Sequence, residues 1–355
     1  MITKLSPLPV AASSVAITNV TKTAPQTRAA RYFFVAMACL FPVIVLLGFG
    51  SEYRDMTTGE LKPHWLVHVH GAVMAGWILV FLAQAVLAAR GYLKFHRQLG
   101  LLSVGLGVLV WLGMGMVTVH MLIANHPPEG HWFFDLCSAA VFLMAMFGVF
   151  FTWGILARKK DPAAHKRLLM LATLVTLQAA VDRIHWLPLL GIGYPYVFMM
   201  YLDLMLIPLF LYDFVTLRRI HRITWSGLAI IVASQLSISA LWGSPALHKF
   251  WFNLTAPLME KVVEIKLGDA QTDPLLGEYK SESFGKMTVS REGGRLHLQF
   301  TGQEKQEMGA INETRFFLRS DIGQYSFVKD ARGAVTKAVL QLESETQEMP
   351  KMEQP

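Results

Sequence analysis

From Leu66 to Ala89 the chain carries no Lys, Arg, Asp or Glu, a stretch of about 24 residues and enough to cross a bilayer as a helix. Few folds accept such a run. Lipid accepts it readily, because a helix closes all its backbone hydrogen bonds within itself. The run has company: further apolar stretches cover 32–50, 99–124, 132–156, 168–190, 195–216 and 224–243. Together they predict seven transmembrane helices. The last is the most dilute, with Ser226, Gln235, Ser237 and Ser239 inside it. A hydrophobic content of 53% against 16% charged residues excludes an ordinary soluble enzyme.

Charge orients the helices. The loops after the second, fourth and sixth runs carry Arg90, Lys94 and Arg97; Arg158, Lys159, Lys160, Lys166 and Arg167; and Arg218, Arg219 and Arg222. The opposite loops (51–65, 125–131 and 190–194) carry only Arg54 and Lys62. Positive charge stays on the cytoplasmic side, so the formal net charge of +7 reflects topology and implies no nucleic-acid partner. Arg28 and Arg31 place the N-terminus in the cytoplasm too, and seven crossings deliver the C-terminal region outside. Cys39 and Cys137 lie in apolar runs and offer neither a disulfide framework nor a CxxC metal pattern. No cleavable signal is expected, because the first apolar run begins late and no small-residue cleavage site follows it.

The domains follow from these shifts. Residues 1–30 read as a mobile tail, 31–245 as the seven-helix bundle and 246–273 as an interfacial linker broken by Pro257. Residues 274–343 read as a small all-β domain and 344–355 as a disordered tail. Strands are expected at 286–290, 295–300, 314–318, 324–328 and 334–342, with a hairpin at Gly293-Gly294 and a turn at 330–333.

Two helical hairpins look alike. One turns at His96-Arg97-Gln98-Leu99 and the other at His165-Lys166-Arg167-Leu168, which predicts a duplicated hairpin forming a four-helix core. His96 and His165 are expected to cap these cytoplasmic turns and to touch lipid phosphates with Arg97, Lys166 and Arg167.

Polar groups gather at the other end. His70, His120, His131 with Asp135, Asp182 with His185, and Asp203 about two turns into the sixth helix fall in the outer leaflet, roughly 5–12 Å below the surface at the rise of a helix. His64, His68 and His126 also belong to the outer half. Imidazole and carboxylate at helical spacing suit a transition metal, and facing imidazoles suit haem. Metal ligands are therefore expected among His70, His120, Asp182, His185, His131 and Asp135, and a cofactor among His68, His70, His120 and His185. The plainer alternatives are interhelical hydrogen bonds, wet interfacial histidines and an Asp182–Arg183 ion pair. The methionines read first as apolar filler, and Gly105, Gly107, Gly113 and Gly115 as close helix packing.

Three motifs in order, His68-Val69-His70-Gly71, His96-Arg97-Gln98-Leu99-Gly100 and His165-Lys166-Arg167-Leu168-Leu169-Met170-Leu171-Ala172-Thr173, resemble a group of uncharacterised bacterial polytopic membrane proteins. The resemblance covers about 31–220 and implies an inner-membrane location without an established activity. Leu276-Gly277-Glu278-Tyr279, Arg295-Leu296-His297-Leu298 and Phe327 to Gly333 resemble the accessory β-domain of serine β-lactamase-like hydrolases, but no S-x-x-K nucleophile motif leads a catalytic domain here. Three functions stay open: a haem or metal protein with a site between helices two to five, an envelope ligand-binding or sensory protein without cofactor, and a transporter or proton pathway using Asp182, Asp203 and Asp213. Oligomeric state is not fixed by the sequence.

Overall fold

The computed structural model describes residues 28–59, 62–125, 127–184, 186–188, 190, 195–258, 263–281, 285–341 and 346–352. His126, His185 and most of the expected N-terminal tail lie outside them. The helical part runs α1 (Arg28–Thr58), α2 (Trp65–Ala89), α3 (Leu93–Asn125), α4 (Phe133–Ala157), α5 (Pro162–Thr176), α6 (Gln178–Val181), α7 (Tyr196–Leu204), α8 (Ile207–Leu217) and α9 (Arg222–Leu241). Among the described residues, six segments are long and apolar enough to cross a membrane: Arg31–Thr58, Trp65–Ala89, Leu93–Asn125, Phe133–Ala157, Met199–Leu217 and Arg222–Leu241.

The expected fifth run, 168–190, is not one helix. Asp161 starts α5 earlier by accepting the Ala164 amide at 2.9 Å, and α5 ends at Thr176. There the Thr176 hydroxyl bonds the Thr173 carbonyl at 2.7 Å, and the Leu177 amide tightens onto Leu174. Such local bonds compete with the regular helical ladder. This divided element is also the most enclosed: ten of the fifteen residues of α5 are buried. The other long helices instead expose large apolar side chains such as Leu46, Leu101, Leu102, Leu156 and Val215, the surface that hydrocarbon surrounds.

Both repeated turn motifs lie within helices and not in loops. His96 is inside α3 and His165 inside α5. The hairpins α2–α3 and α4–α5 pack around a common core of Trp77, Phe147, Phe151, Leu171 and Leu174. Close packing explains much of the glycine series in α3. A Cβ on Gly107 would meet the Phe151 ring at 2.4 Å, one on Gly113 would stand 3.3 Å from His70 Nδ1, and Gly105 has open space around it. Between α7 and α8 the cause of the break is Pro208, which cannot supply the amide that would bond the Leu204 carbonyl.

After α9 comes α10 (Pro245–Thr255), started by Ser244, whose hydroxyl accepts the Leu247 amide at 3.5 Å. A short α11 (Asp269–Thr272) leads into β1 (Gly277–Ser281), β2 (Gly285–Glu292), β3 (Arg295–Phe300), β4 (Gln306–Ala310), β5 (Arg315–Leu318), β6 (Gln324–Lys329), β7 (Val335–Gln341) and β8 (Thr346–Pro350). These pair antiparallel in simple sequence order. The sheet curls onto itself: Tyr279 bridges Lys351, and the Met352 amide bonds the Glu278 carbonyl at 2.8 Å. An eight-stranded sheet closed this way has room inside for side chains and little else. Tyr279, Met287, Val289, Leu298, Phe316, Phe327 and Met349 fill it. Residues 346–350, expected to be disordered, are the strand that meets β1. The hairpin at Gly293-Gly294 is present, with φ of +58° and +75°, the left-handed pair that a tight two-residue turn requires.

Candidate functional site

The bundle has two polar ends. At the basic end, His165 in α5 reaches back to α4, its Nδ1–H donating to the Gly154 carbonyl at 2.8 Å. His96 in α3 makes the equivalent bond to Gln84 of α2 at 3.3 Å. Each imidazole thus ties its own helix to the preceding one across the turn, and the two hairpins repeat in geometry as well as in sequence. Arg167 does not touch lipid phosphate as expected. It is buried, with Nε donating to Asp213 Oδ1 at 3.0 Å, Nη2 to the same oxygen, and Nη1 to the Ala163 carbonyl at 2.8 Å. Asp213 Oδ2 accepts the His221 amide at 3.0 Å and the Thr224 hydroxyl at 2.5 Å. Lys166 donates to the Tyr212 hydroxyl at 2.9 Å and lies over the Phe34 ring. These charges pin α5, α8, α9 and α1 together, so Asp213 has a structural partner where a proton pathway would want a free one. Arg97 remains exposed.

In mid-bundle, the Trp77 indole donates to the Thr173 hydroxyl at 3.2 Å. Trp77, Phe147 and Phe151 pack with ring centroids 5.4–5.6 Å apart. Aromatic side chains occupy the space there between α2 and α4.

At the opposite end the helices meet the barrel. His131 Nδ1 accepts the Phe133 amide at 3.2 Å, which fixes its tautomer, so Nε2–H donates to Asp321 of the barrel at 2.9 Å. Burial works against the Asp321 carboxylate, but hydrogen bonds from His131, the Ile322 amide and Gln306 outweigh it and hold Asp321 below the usual range. Asp135, one turn along α4, faces a different partner. Its Oδ1 accepts both the Gly243 amide and His248 Nε2–H, each at 2.9 Å. The Trp251 indole of α10 donates to the Ser138 hydroxyl at 2.8 Å. Leu122, Phe133, Phe134 and Cys137 pack beneath Trp251, Phe252 and barrel residue Ile322. The segment 246–258 is therefore docked on the ends of α3 and α4.

The remaining predicted ligands are dispersed. His64 and His120 stack with ring centroids 4.3 Å apart, while His64 Nδ1 caps α2 through the Leu66 amide at 3.4 Å. His68 is exposed, and His70 packs on Gly113. Asp182 accepts Gln178 Nε2 at 2.6 Å. Arg183 pairs not with Asp182 but with Glu52 of α1 at 2.8 Å. His185 lies outside the described residues. Among the described residues no three His, Cys, Asp or Glu side chains come together as a metal-binding group. His131 and Asp135, expected to share one guest, are separately engaged. Sequence reasoning missed Asp321, His248, Trp251 and Ser138, whose partners lie more than a hundred positions away.

No family model matches the chain, and neither the curated proteins nor the solved structures contain a match to it.

Proposed function

We propose that the chain is an integral protein of a bacterial inner membrane that holds its β-barrel on the outer face to bind or sense an envelope ligand, with the helical bundle as a rigid mount. The junction carries this proposal: two His–Asp hydrogen bonds and an apolar cluster clamp barrel, α10 and α4 together. A domain tethered only for anchorage needs no such clamp. The basic loops support a cytoplasmic position for the other end. The α5–α6 element is the seventh crossing. Its start is joined to the basic end by Asp161–Arg222 at 2.9 Å, and the residue pair just past it, Arg183–Glu52, is at the barrel end. Residues 162–181 rise about 30 Å, the thickness of the hydrocarbon core.

Cysteines placed singly at Glu129, Arg332 and Lys159 in a Cys39→Ala, Cys137→Ala background test the orientation. In intact spheroplasts a membrane-impermeant maleimide should label the first two and spare the third. Melting of the full-length protein is then followed with peptidoglycan fragments and with outer-membrane lipids; a ligand that binds only the folded state raises it. Reversed labelling, or no shift with either component, contradicts the proposal.

A second function rests on the His64–His120 stack. Two imidazoles in ring contact leave no room for a macrocycle between them, so haem does not fit there. A Cu or Zn ion bound at the edge of the pair does fit imidazole chemistry. Metal titration of the purified protein decides it: stoichiometric binding lost in His64→Ala and His120→Ala supports a metal role, and binding unchanged by both substitutions rejects it.

A further inference from the structure

A groove of about 220 Å³ opens on the lipid-facing side between α7 and α9, lined by Tyr196, Met199, Met200, Asp203, Val232, Gln235, Leu236 and Ser239. Its floor is polar. Gln235 Nε2 donates to Asp203 Oδ1 at 2.9 Å, while Asp203 Oδ2 takes no hydrogen bond from the described residues. A carboxylate in an apolar helix is costly, and such residues mark binding or transport sites. The backbone is interrupted at the same place. α7 stops at Leu204 ahead of Pro208, and the Leu206 amide turns back onto the Asp203 carbonyl at 2.9 Å. Helices broken within the bilayer recur where ligands bind.

Depth and lining define the occupant. Asp203 lies seven positions beyond the start of α7, about 10 Å along its axis, and Gln235 is about 9 Å from the barrel-side end of α9. That is below the level of charged headgroups, where a buried ammonium costs far more than a neutral hydroxyl. The volume is smaller than the roughly 300–1,000 Å³ of a pocket that encloses a whole small molecule. It suits a single ring with its tail left in lipid along Val232 and Leu236, which are both exposed. Met199 and Met200 supply thioethers, which favour aromatic rings. We propose that this groove binds the hydroxylated ring of a lipid-soluble quinol, with Asp203 as the hydrogen-bond acceptor and Gln235 holding the carboxylate in place.

The probe is decylubiquinol, compared with its oxidised form, titrated onto full-length protein in nanodiscs. The quinone lacks the hydroxyl donor, so wild type should prefer the quinol by roughly ten- to a hundredfold, the worth of one hydrogen bond to a charged group. Asp203→Leu should abolish that preference, and Leu236→Trp, which fills the groove, should weaken both forms. Leu211→Trp, on the exposed face of α8, should change neither. An azido-quinol should crosslink within 196–203 or 232–239. Equal affinity of wild type for quinol and quinone, crosslinks elsewhere, or an aminophospholipid retained by wild type and lost from Asp203→Leu would overturn the proposal.

Discussion

Removing either member of the Arg167–Asp213 pair should destabilise the bundle unequally. The two side chains are 2% and 0% exposed, so neither charge can turn to water. Losing one partner of a buried pair typically costs about 3–5 kcal/mol. The survivors differ. With Arg167→Met, Asp213 keeps the His221 amide and the Thr224 hydroxyl. With Asp213→Leu, Arg167 keeps one hydrogen bond, to the Ala163 carbonyl, and its place over the Tyr212 ring, and two donors are orphaned as well. The expected cost is therefore near 3 kcal/mol for Arg167→Met and near 5 for Asp213→Leu, by order of magnitude. For a domain of this size that corresponds to roughly 6–20 °C in melting temperature. The double variant leaves no unpaired charge and should recover most of the loss, falling within about 2 kcal/mol of wild type. Thermal unfolding in detergent, followed by tryptophan fluorescence, gives the three shifts, and the double-mutant cycle gives the coupling. Purely additive losses, or an Arg167→Met variant worse than Asp213→Leu, would refute the reasoning.

Gly48→Ala should cost about 1–3 kcal/mol through overpacking, because its Cβ would stand 2.2 Å from the Ala180 carbonyl oxygen, whereas Gly50→Ala should be silent, with nothing within 4 Å; melting of the two variants checks the contrast. Trp77→Phe should cost about 1 kcal/mol, the net worth of the lost hydrogen bond to Thr173, and Thr173→Val should add little on top of it in the same assay. Burial pushes the Asp321 carboxyl up, but hydrogen bonds from His131, the Ile322 amide and Gln306 together outweigh it and hold it below its ordinary value. A depressed carboxylate contributes stability above its unfolded value of about 3.9 and loses it as pH falls through the lower folded value. The clamp should thus hold at pH 5 and weaken only below about pH 4, as the fluorescence of Trp251 at the junction would register; weakening already at pH 5–6 contradicts it.

Apolar length told most of the membrane part, because hydrocarbon imposes one simple demand on every residue of a span. It failed at α5, where hydropathy runs on through Leu177 while threonine hydroxyls break the backbone ladder. It also put His96 and His165 in loops, since charge was read as solvent exposure; both fall inside helices, and their imidazoles satisfy carbonyls across the turn. In the barrel the hidden strands were β1, β4 and β8. Gln306–Ala310 and Thr346–Pro350 carry few β-branched or aromatic residues, and they are strands because their neighbours need backbone partners. The barrel-side junction was half legible. His131 and Asp135 stood out at helical spacing, but shared spacing on a helix does not mean a shared guest. Their partners, Asp321 and His248, come from chain segments whose position only the tertiary fold determines.

The central claim is that the barrel is clamped to the bundle. It is tested most directly by the distance between spin labels at Glu129 and Arg332 in the cysteine-free protein, measured by pulsed electron resonance in nanodiscs. A single narrow distribution in wild type, broadened in a His131→Ala, His248→Ala variant, is the predicted result. A broad distribution already in wild type would show the barrel swinging on its linker and would contradict the account.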